Sequence, residues 1–188
     1  MRFVRYSIGK QSPRLGWVLS QGDEELWVGP VEGTLYGEFR RLEANQPLSA
    51  VRLHAPVTPS KIICVGRNYV AHAKEHQAEV PEIPLLFLKP PTSIIGPEES
   101  IVLPPQSQQV EHEAELVVVI GKRGRWIPPE DAMKHVLGYT IGNDVTARDL
   151  QRRDGQWTRS KGFDTFCPIG PWIETEFDPA DGVITCHV

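Results

Sequence analysis

A mostly β, α+β fold is what this sequence predicts, and three observations predict it. Glycine and proline are frequent, 16 and 17 among 188 residues, so the chain is broken into short segments and a long helical bundle is excluded. Its apolar runs are short and rich in β-branched and aromatic residues, as in Leu116-Val117-Val118-Val119-Ile120. Helix signals are few and brief. A content of 40% hydrophobic and 23% charged residues belongs to a folded chain rather than a disordered one.

The elements follow in order. Phe3-Val4-Arg5-Tyr6, Gly16-Trp17-Val18-Leu19 and Glu25-Leu26-Trp27-Val28 read as a β meander with Gly/Ser/Asp-rich turns. Residues 40–50 are polar, with room for a helical turn. Pro56 and Pro59 mark an extended linker, which places a boundary at residue 57 between a small N-terminal β subdomain (1–57) and a larger unit (58–188). Lys61 to Gly66 is apolar and too short for a helix, hence a buried strand. Asn68 caps a short helix from Tyr69 to about Ala78. Leu85-Leu86-Phe87-Leu88 is a strand stopped by Lys89-Pro90-Pro91. Glu115 to Ile120 is the most apolar strand, and Gly138 to Asn143 is another. Pro128-Pro129-Glu130-Asp131 opens a helix through His135. Thr146-Ala147-Arg148-Asp149 fits a capping box for a helix to about Arg153. Strands at residues 166–173 and 183–188 close the chain.

Several function classes fall away on composition. With 20 Lys plus Arg against 24 Asp plus Glu, the net charge of −4 leaves no basic footprint for nucleic acid. No run approaches about eighteen apolar residues, so no membrane partner is expected, and MRFVRYSIGK is not a targeting segment. Cys64, Cys167 and Cys186 are odd in number and form no CxxC pair, which suits a reducing cytoplasm.

The strongest chemical signal is Glu111-His112-Glu113-Ala114-Glu115. Side chains alternate along a strand, so Glu113 and Glu115 share one face, roughly 6–7 Å apart, with Val117 and Val119. Two carboxylates leading into an apolar strand repel and lose hydration unless a cation joins them. They are either a cation site or ordinary glutamates at a strand end reaching water. Asp144 ends the next strand beside a helix start, where it either caps the helix or completes the set. Glu113, Glu115 and Asp144 together are all-oxygen donors, which suit Mg²⁺ or Mn²⁺. On a helix, His72 and Glu75 face the same way, and a carboxylate fixing an imidazole makes a base for activating water. The competing reading is a solvated polar helix. His72-Ala73-Lys74-Glu75-His76 also spells the H-x-x-E-H zinc-protease pattern, but the helix is too short for that chemistry. Gln151 lies two helical turns beyond Asp144. Lys161 and Lys89 either neutralise an anionic substrate or reach into water.

These blocks resemble the fumarylacetoacetate hydrolase family, nearest its acylpyruvase and 2-hydroxyhepta-2,4-diene-1,7-dioate isomerase branch. The matching stretches are Ile62 to Tyr69 with His72 and Glu75, Pro84 to Pro90, His112 to Leu116, Gly142 to Asp149, and Trp157 to Lys161. The resemblance implies a mixed β-roll carrying one Mg²⁺ or Mn²⁺ on Glu113, Glu115 and Asp144. It implies a base dyad of His72 and Glu75, with Lys161 catalytic, Gln151 holding substrate, and a homodimer. Relatives continue past Val188, so the roll is expected to be incomplete at its C-terminus. The implied activity is metal-dependent C–C hydrolysis of acylpyruvate-type diketo acids, with a small 2-oxo acid as substrate. Alternatives on the same scaffold are oxaloacetate decarboxylation, isomerisation of 2-hydroxyhepta-2,4-diene-1,7-dioate, and a non-catalytic metal-binding fragment.

Overall fold

The computed structural model describes residues 1–21, 25–69 and 81–187. Among these described residues, six strands precede residue 57: β1 (Arg2–Ser7), β2 (Arg14–Gln21), β3 (Glu25–Gly33), β4 (Phe39–Arg41), β5 (Gln46–Pro47) and β6 (Arg52–His54). Eight follow it: β7 (Ile62–Gly66), β8 (Leu85–Lys89), β9 (Ile94–Ile95), β10 (Val110–Glu111), β11 (Ala114–Ile120), β12 (Val136–Asn143), β13 (Thr146–Ala147) and β14 (Cys167–Glu174). Two short helices, α1 (Arg148–Asp154) and α2 (Thr158–Lys161), lie between the last two strands.

The expected meander is present. β1, β2 and β3 pair in antiparallel order, with Phe3 opposite Trp17 and Val18 opposite Val28. They continue into a ten-stranded sheet whose main path runs β11-β12-β14-β1-β2-β3-β4, with β5, β6 and β9 added on β3, β1 and β14, so strands from both sides of residue 57 share one surface. β1 has β2 on one edge and β14 and β6 on the other, and its two faces enter different core clusters, Phe3 on one and Val4 with Tyr6 on the other. Phe3 packs with Val119 and Ile173, while Val4 and Tyr6 pack with Val18 and Val28. β9 joins β14 in parallel, which makes the sheet mixed. A third cluster of Val145, Ala147, Leu150 and Phe166 holds α1 against the functional end of the molecule.

Four local expectations are corrected. β7 is not a buried strand: it pairs only with β8, and Ile63 and Val65 are exposed because no second layer covers their face among the described residues. The capping box does not form, because Thr146 is recruited into β13 opposite Glu111 and Ala147 becomes the N-cap, with no side-chain bond. Asp149 instead accepts from the Ser107 hydroxyl and the backbone N–H of Gln108. Pro129–His135 is a 3₁₀ helix rather than an α-helix. Residues 183–187 form no strand. The helix expected from Tyr69 to Ala78 falls almost wholly outside the described residues, which resume at Pro81.

Candidate active site

The site begins where β11 and β12 end. Ala114 pairs with Asn143 and Glu115 with Gly142, so the residues just beyond the ladder, Glu113 and Asp144, emerge side by side. The Asp144 N–H donates to the Glu113 carbonyl at 2.9 Å, and the Glu113 N–H donates to the Asn143 side chain at 3.0 Å. The buried Thr146 hydroxyl adds bonds to the Asp144 carbonyl at 2.9 Å and to Glu113 Oε1 at 3.2 Å. Backbone pairing therefore places both carboxylates.

Three cations reach them from separate elements. Lys161, at the end of α2 and 2% exposed, donates to Glu113 Oε2 at 2.9 Å and to Asp144 Oδ2 at 2.6 Å. Lys89, at the end of β8 and equally buried, donates to Asp144 Oδ1 at 2.5 Å and to the Val145 carbonyl at 3.2 Å. Arg148, the first residue of α1, gives Nη2 to Glu113 Oε1 at 2.7 Å. The result is a row of alternating charge: Arg148, Glu113, Lys161, Asp144, Lys89. Burial alone would raise the Glu113 carboxyl, but Lys161 and Arg148 hold it below the usual carboxylate range.

Glu115 stands apart from that row. Burial pushes its carboxyl up to about 7, and the charges of Glu113 and Asp144 add to the rise, while a hydrogen bond from Tyr69 opposes it. The floor under Lys161 is aromatic: its ammonium lies 5.1 Å from the centre of the Phe87 ring, and Phe87 meets Trp157 edge-on at 5.4 Å. Burial pushes the Cys64 thiol up to about 12, with the Asp144 charge acting in the same sense, which favours the protonated thiol.

The structure thus brings Glu113, Asp144 and Lys161 together and sets Glu115 close by. Gln151 accepts from Arg148 Nη1 at 2.7 Å, which ties it to Glu113 through the guanidinium. The helical-turn argument linking Gln151 to Asp144 does not hold, since α1 starts only at Arg148. His72 and Glu75 lie outside the described residues. The chain approaches them through Arg67, whose φ of 55° is in the left-handed region, and through Tyr69. Sequence reasoning left Lys89 between an anionic substrate and water, read Thr146 as a helix cap, and assigned no site role to Arg148, Glu111 or Tyr69. Lys89 is buried at the end of an otherwise exposed strand, and there its ammonium needs a carboxylate partner, which Asp144 supplies.

As placed, no three His, Cys, Asp or Glu side chains among the described residues come close enough together to hold a metal ion. The donor chemistry does fit a hard dication. Glu113, Glu115 and Asp144 offer carboxylate oxygens only, and Glu115 is a half-buried carboxyl crowded by two anionic neighbours with no cation paired to it in the row. Crowding of that kind is relieved by a divalent cation.

Comparison with known proteins gives the same direction. The model of the fumarylacetoacetate (FAA) hydrolase C-terminal domain matches residues 61–188. Protein Rv2993c of Mycobacterium tuberculosis is 54% identical over 138 residues, covering 72% of this chain and 52% of that protein. The mitochondrial oxaloacetate tautomerase FAHD2A of Homo sapiens is 51% identical over 166 residues, 84% of this chain and 53% of its own length. The chain spans about half the length of these curated relatives. Among solved structures, 2-hydroxyhepta-2,4-diene-1,7-dioate isomerase from Mycobacterium marinum superposes with a TM-score of 0.84 at 41% identity, over 96% of this chain and 68% of that one. With the β-roll sheet, the Glu113/Asp144 pairing and a family match over most of its length, this chain belongs to the fumarylacetoacetate hydrolase family.

Proposed function

We propose that this chain carries the site of a divalent-metal-dependent enzyme that interconverts keto and enol forms of a small 2-oxo acid, of which oxaloacetate is the natural first test. The observation that carries this reading is the buried ammonium of Lys161, held between Glu113 and Asp144. A buried ammonium beside an all-carboxylate donor set suits a substrate whose 2-oxygen gains negative charge as a proton leaves C3. Names of the relatives support the class, since they include an oxaloacetate tautomerase and a dienedioate isomerase.

Glu113, Glu115 and Asp144 would hold Mg²⁺ or Mn²⁺, which when bound supplies Lewis acidity to the 1-carboxylate and 2-oxo oxygens. Lys161 would donate to the developing enolate oxygen. Gln151, fixed by Arg148, would orient the distal group. His72, oriented by Glu75, would take the proton from C3 and return it at oxygen. The aromatic pair Phe87 and Trp157 keeps water from the underside of Lys161.

C–C hydrolysis of an acylpyruvate is the second reading, favoured by the His72/Glu75 spacing, which equally suits a base that activates water. The same enolate would then form as the leaving group. The test is to follow enol absorbance of oxaloacetate and pyruvate release from acetylpyruvate, each with Mg²⁺, with Mn²⁺ and with EDTA. Metal-dependent loss of enol absorbance above the buffer rate, without pyruvate release, supports tautomerisation. Pyruvate from acetylpyruvate supports hydrolysis. Neither signal means a metal-binding fragment without turnover.

A further inference from the structure

Glu111 belongs to no ladder of the large sheet and carries no role in the chemistry above, yet it is tied into the site. Its Oε2 accepts from Arg148 Nε at 2.9 Å, and its Oε1 accepts from Gln109 Nε2 at 2.5 Å. Gln109 is held in turn: its backbone carbonyl accepts from the Arg148 N–H at 2.7 Å, and its side-chain oxygen accepts from Arg152 at 2.5 Å. Arg148 therefore has all three faces of its guanidinium committed, Nε to Glu111, Nη1 to Gln151 and Nη2 to Glu113.

We propose that Glu111 and Arg148 form a positioning relay that fixes the Glu113 carboxylate for cation binding. A guanidinium is a planar fork, so anchoring Nε on Glu111 sets the direction in which Nη2 points. The direction it points is Glu113 Oε1, which leaves Oε2 turned toward Lys161 and Asp144. Neither oxygen of Glu113 is then free to rotate. β10 pairs with β13 through Glu111 opposite Thr146, so the relay is also attached to the backbone that carries Asp144. Glu111 acts through Arg148 and touches nothing that reacts. It is a positioning residue. Lysine at position 148 would not substitute, because an ammonium lacks the rigid fork that joins two carboxylates and an amide at fixed angles.

The inference rests on the metal reading above, and the test separates the two. Mn²⁺ affinity of the full chain is measured by the loss of the free-ion electron paramagnetic signal, for the unaltered protein, Glu111→Gln, Arg148→Lys and the double variant. Thermal midpoints of the metal-free proteins are taken in parallel. Outer partners of metal ligands are typically worth about 10–100-fold in affinity, so each single variant is expected to weaken Mn²⁺ binding by about tenfold or more. The double variant should be no weaker than the worse single one, because one relay is broken in all three. If the unaltered chain takes up no Mn²⁺, the metal reading fails and the relay with it. If it binds and Glu111→Gln binds equally well, or the two losses multiply, the relay alone is overturned. A lowered thermal midpoint with unchanged Mn²⁺ affinity would reduce Glu111 to a structural salt bridge, which also overturns it.

Discussion

Lys161 shows how much a single buried side chain can be asked to do. Its ammonium serves two carboxylates at once, and its own surroundings are almost dry. Replacing it by methionine keeps the volume and leaves Glu113 and Asp144 without their shared cation, a change that typically costs about 3–5 kcal/mol. The expected outcome for Lys161→Met is a loss of that order in urea denaturation of the metal-free chain. If it also stabilises an enolate, turnover at saturating metal should fall about 10²–10³-fold, as when one oxyanion donor is removed. Normal turnover on any 2-oxo acid would remove Lys161 from the chemistry.

Glu115 makes the complementary case through pH. Its carboxyl is raised from an ordinary 4.5 to about 7, chiefly by burial. Between those values the folded chain holds a proton that the unfolded chain has released, so this group's contribution to stability is whole below about 4.5 and is lost as pH rises through 7. Glu113 acts in the opposite sense, since its carboxyl is held low. The difference between the unaltered chain and Glu115→Gln isolates the first effect. Metal-free unfolding from pH 4 to 8 should show the variant gaining stability relative to the parent toward the upper end, and a parallel pair of curves would refute the assignment.

At the scale of elements, the β7–β8 hairpin is the piece whose placement decides the floor of the site. Gly66 at its tip has no room for a side chain: a Cβ there would lie 2.7 Å from the Trp157 ring. Trp157 rests edge-on against Phe87, and Phe87 supports the ammonium of Lys161. Gly66→Ala should therefore displace Trp157 and cost about 1–3 kcal/mol by overpacking, with a shift in tryptophan emission. An unchanged emission spectrum would mean that the ring moves aside without cost.

Some of this was legible in the sequence and some was not, for reasons visible in particular residues. β11 announces itself through the apolar run Leu116 to Ile120, and Glu113 and Glu115 stand out because carboxylates leading into such a run need an explanation, as does Asp144 just beyond β12. Thr146 misled because its local pattern, with Asp149 three residues on, suits a helix cap. Tertiary pairing of β13 with β10 overrode it. The role of Lys89 depends on Asp144, 55 residues away, and that of Arg148 on Glu111, 37 residues away. No local period encodes contacts of that range. The apolar run of β7 was read as buried on composition, whereas burial is decided by which neighbour arrives.

Taken as a whole molecule, the chain presents on β7 and β8 an apolar face that the described residues leave open. Ile63 lies opposite Leu88 and Val65 opposite Leu86, and all four are exposed, between 43% and 60%. Clustered exposure of large aliphatic side chains is unusual on a monomer and marks an interaction surface. A face built from an antiparallel pair suits packing on a second copy about a twofold axis. The expected result is a homodimer by light scattering, with Leu86→Glu shifted toward monomer at equal concentration. A monomeric parent protein would leave this face to some other cover.

The order of strands in the large sheet has a kinetic side. β6 takes the second edge of β1 at Arg5, Tyr6 and Ser7, but Arg2 and Phe3 lie opposite Glu174 and Ile173 of β14, so that end of the edge is completed only once Glu174 has been made. At about 5–20 residues per second of synthesis, that edge waits on the order of ten to thirty seconds with its backbone donors and acceptors unpaired. β2 and β3 arrive early and give β1 a partner on one side, so a hairpin-based nucleus assembles at once. On the other side β6 covers Arg5 to Ser7, and the Arg2–Phe3 end stays available to any passing strand, including one from a neighbouring nascent chain. Completion of the sheet at β1 thereby includes a late, long-range step, and yield in a cell should depend on whatever shields the Arg2–Phe3 end until β14 emerges.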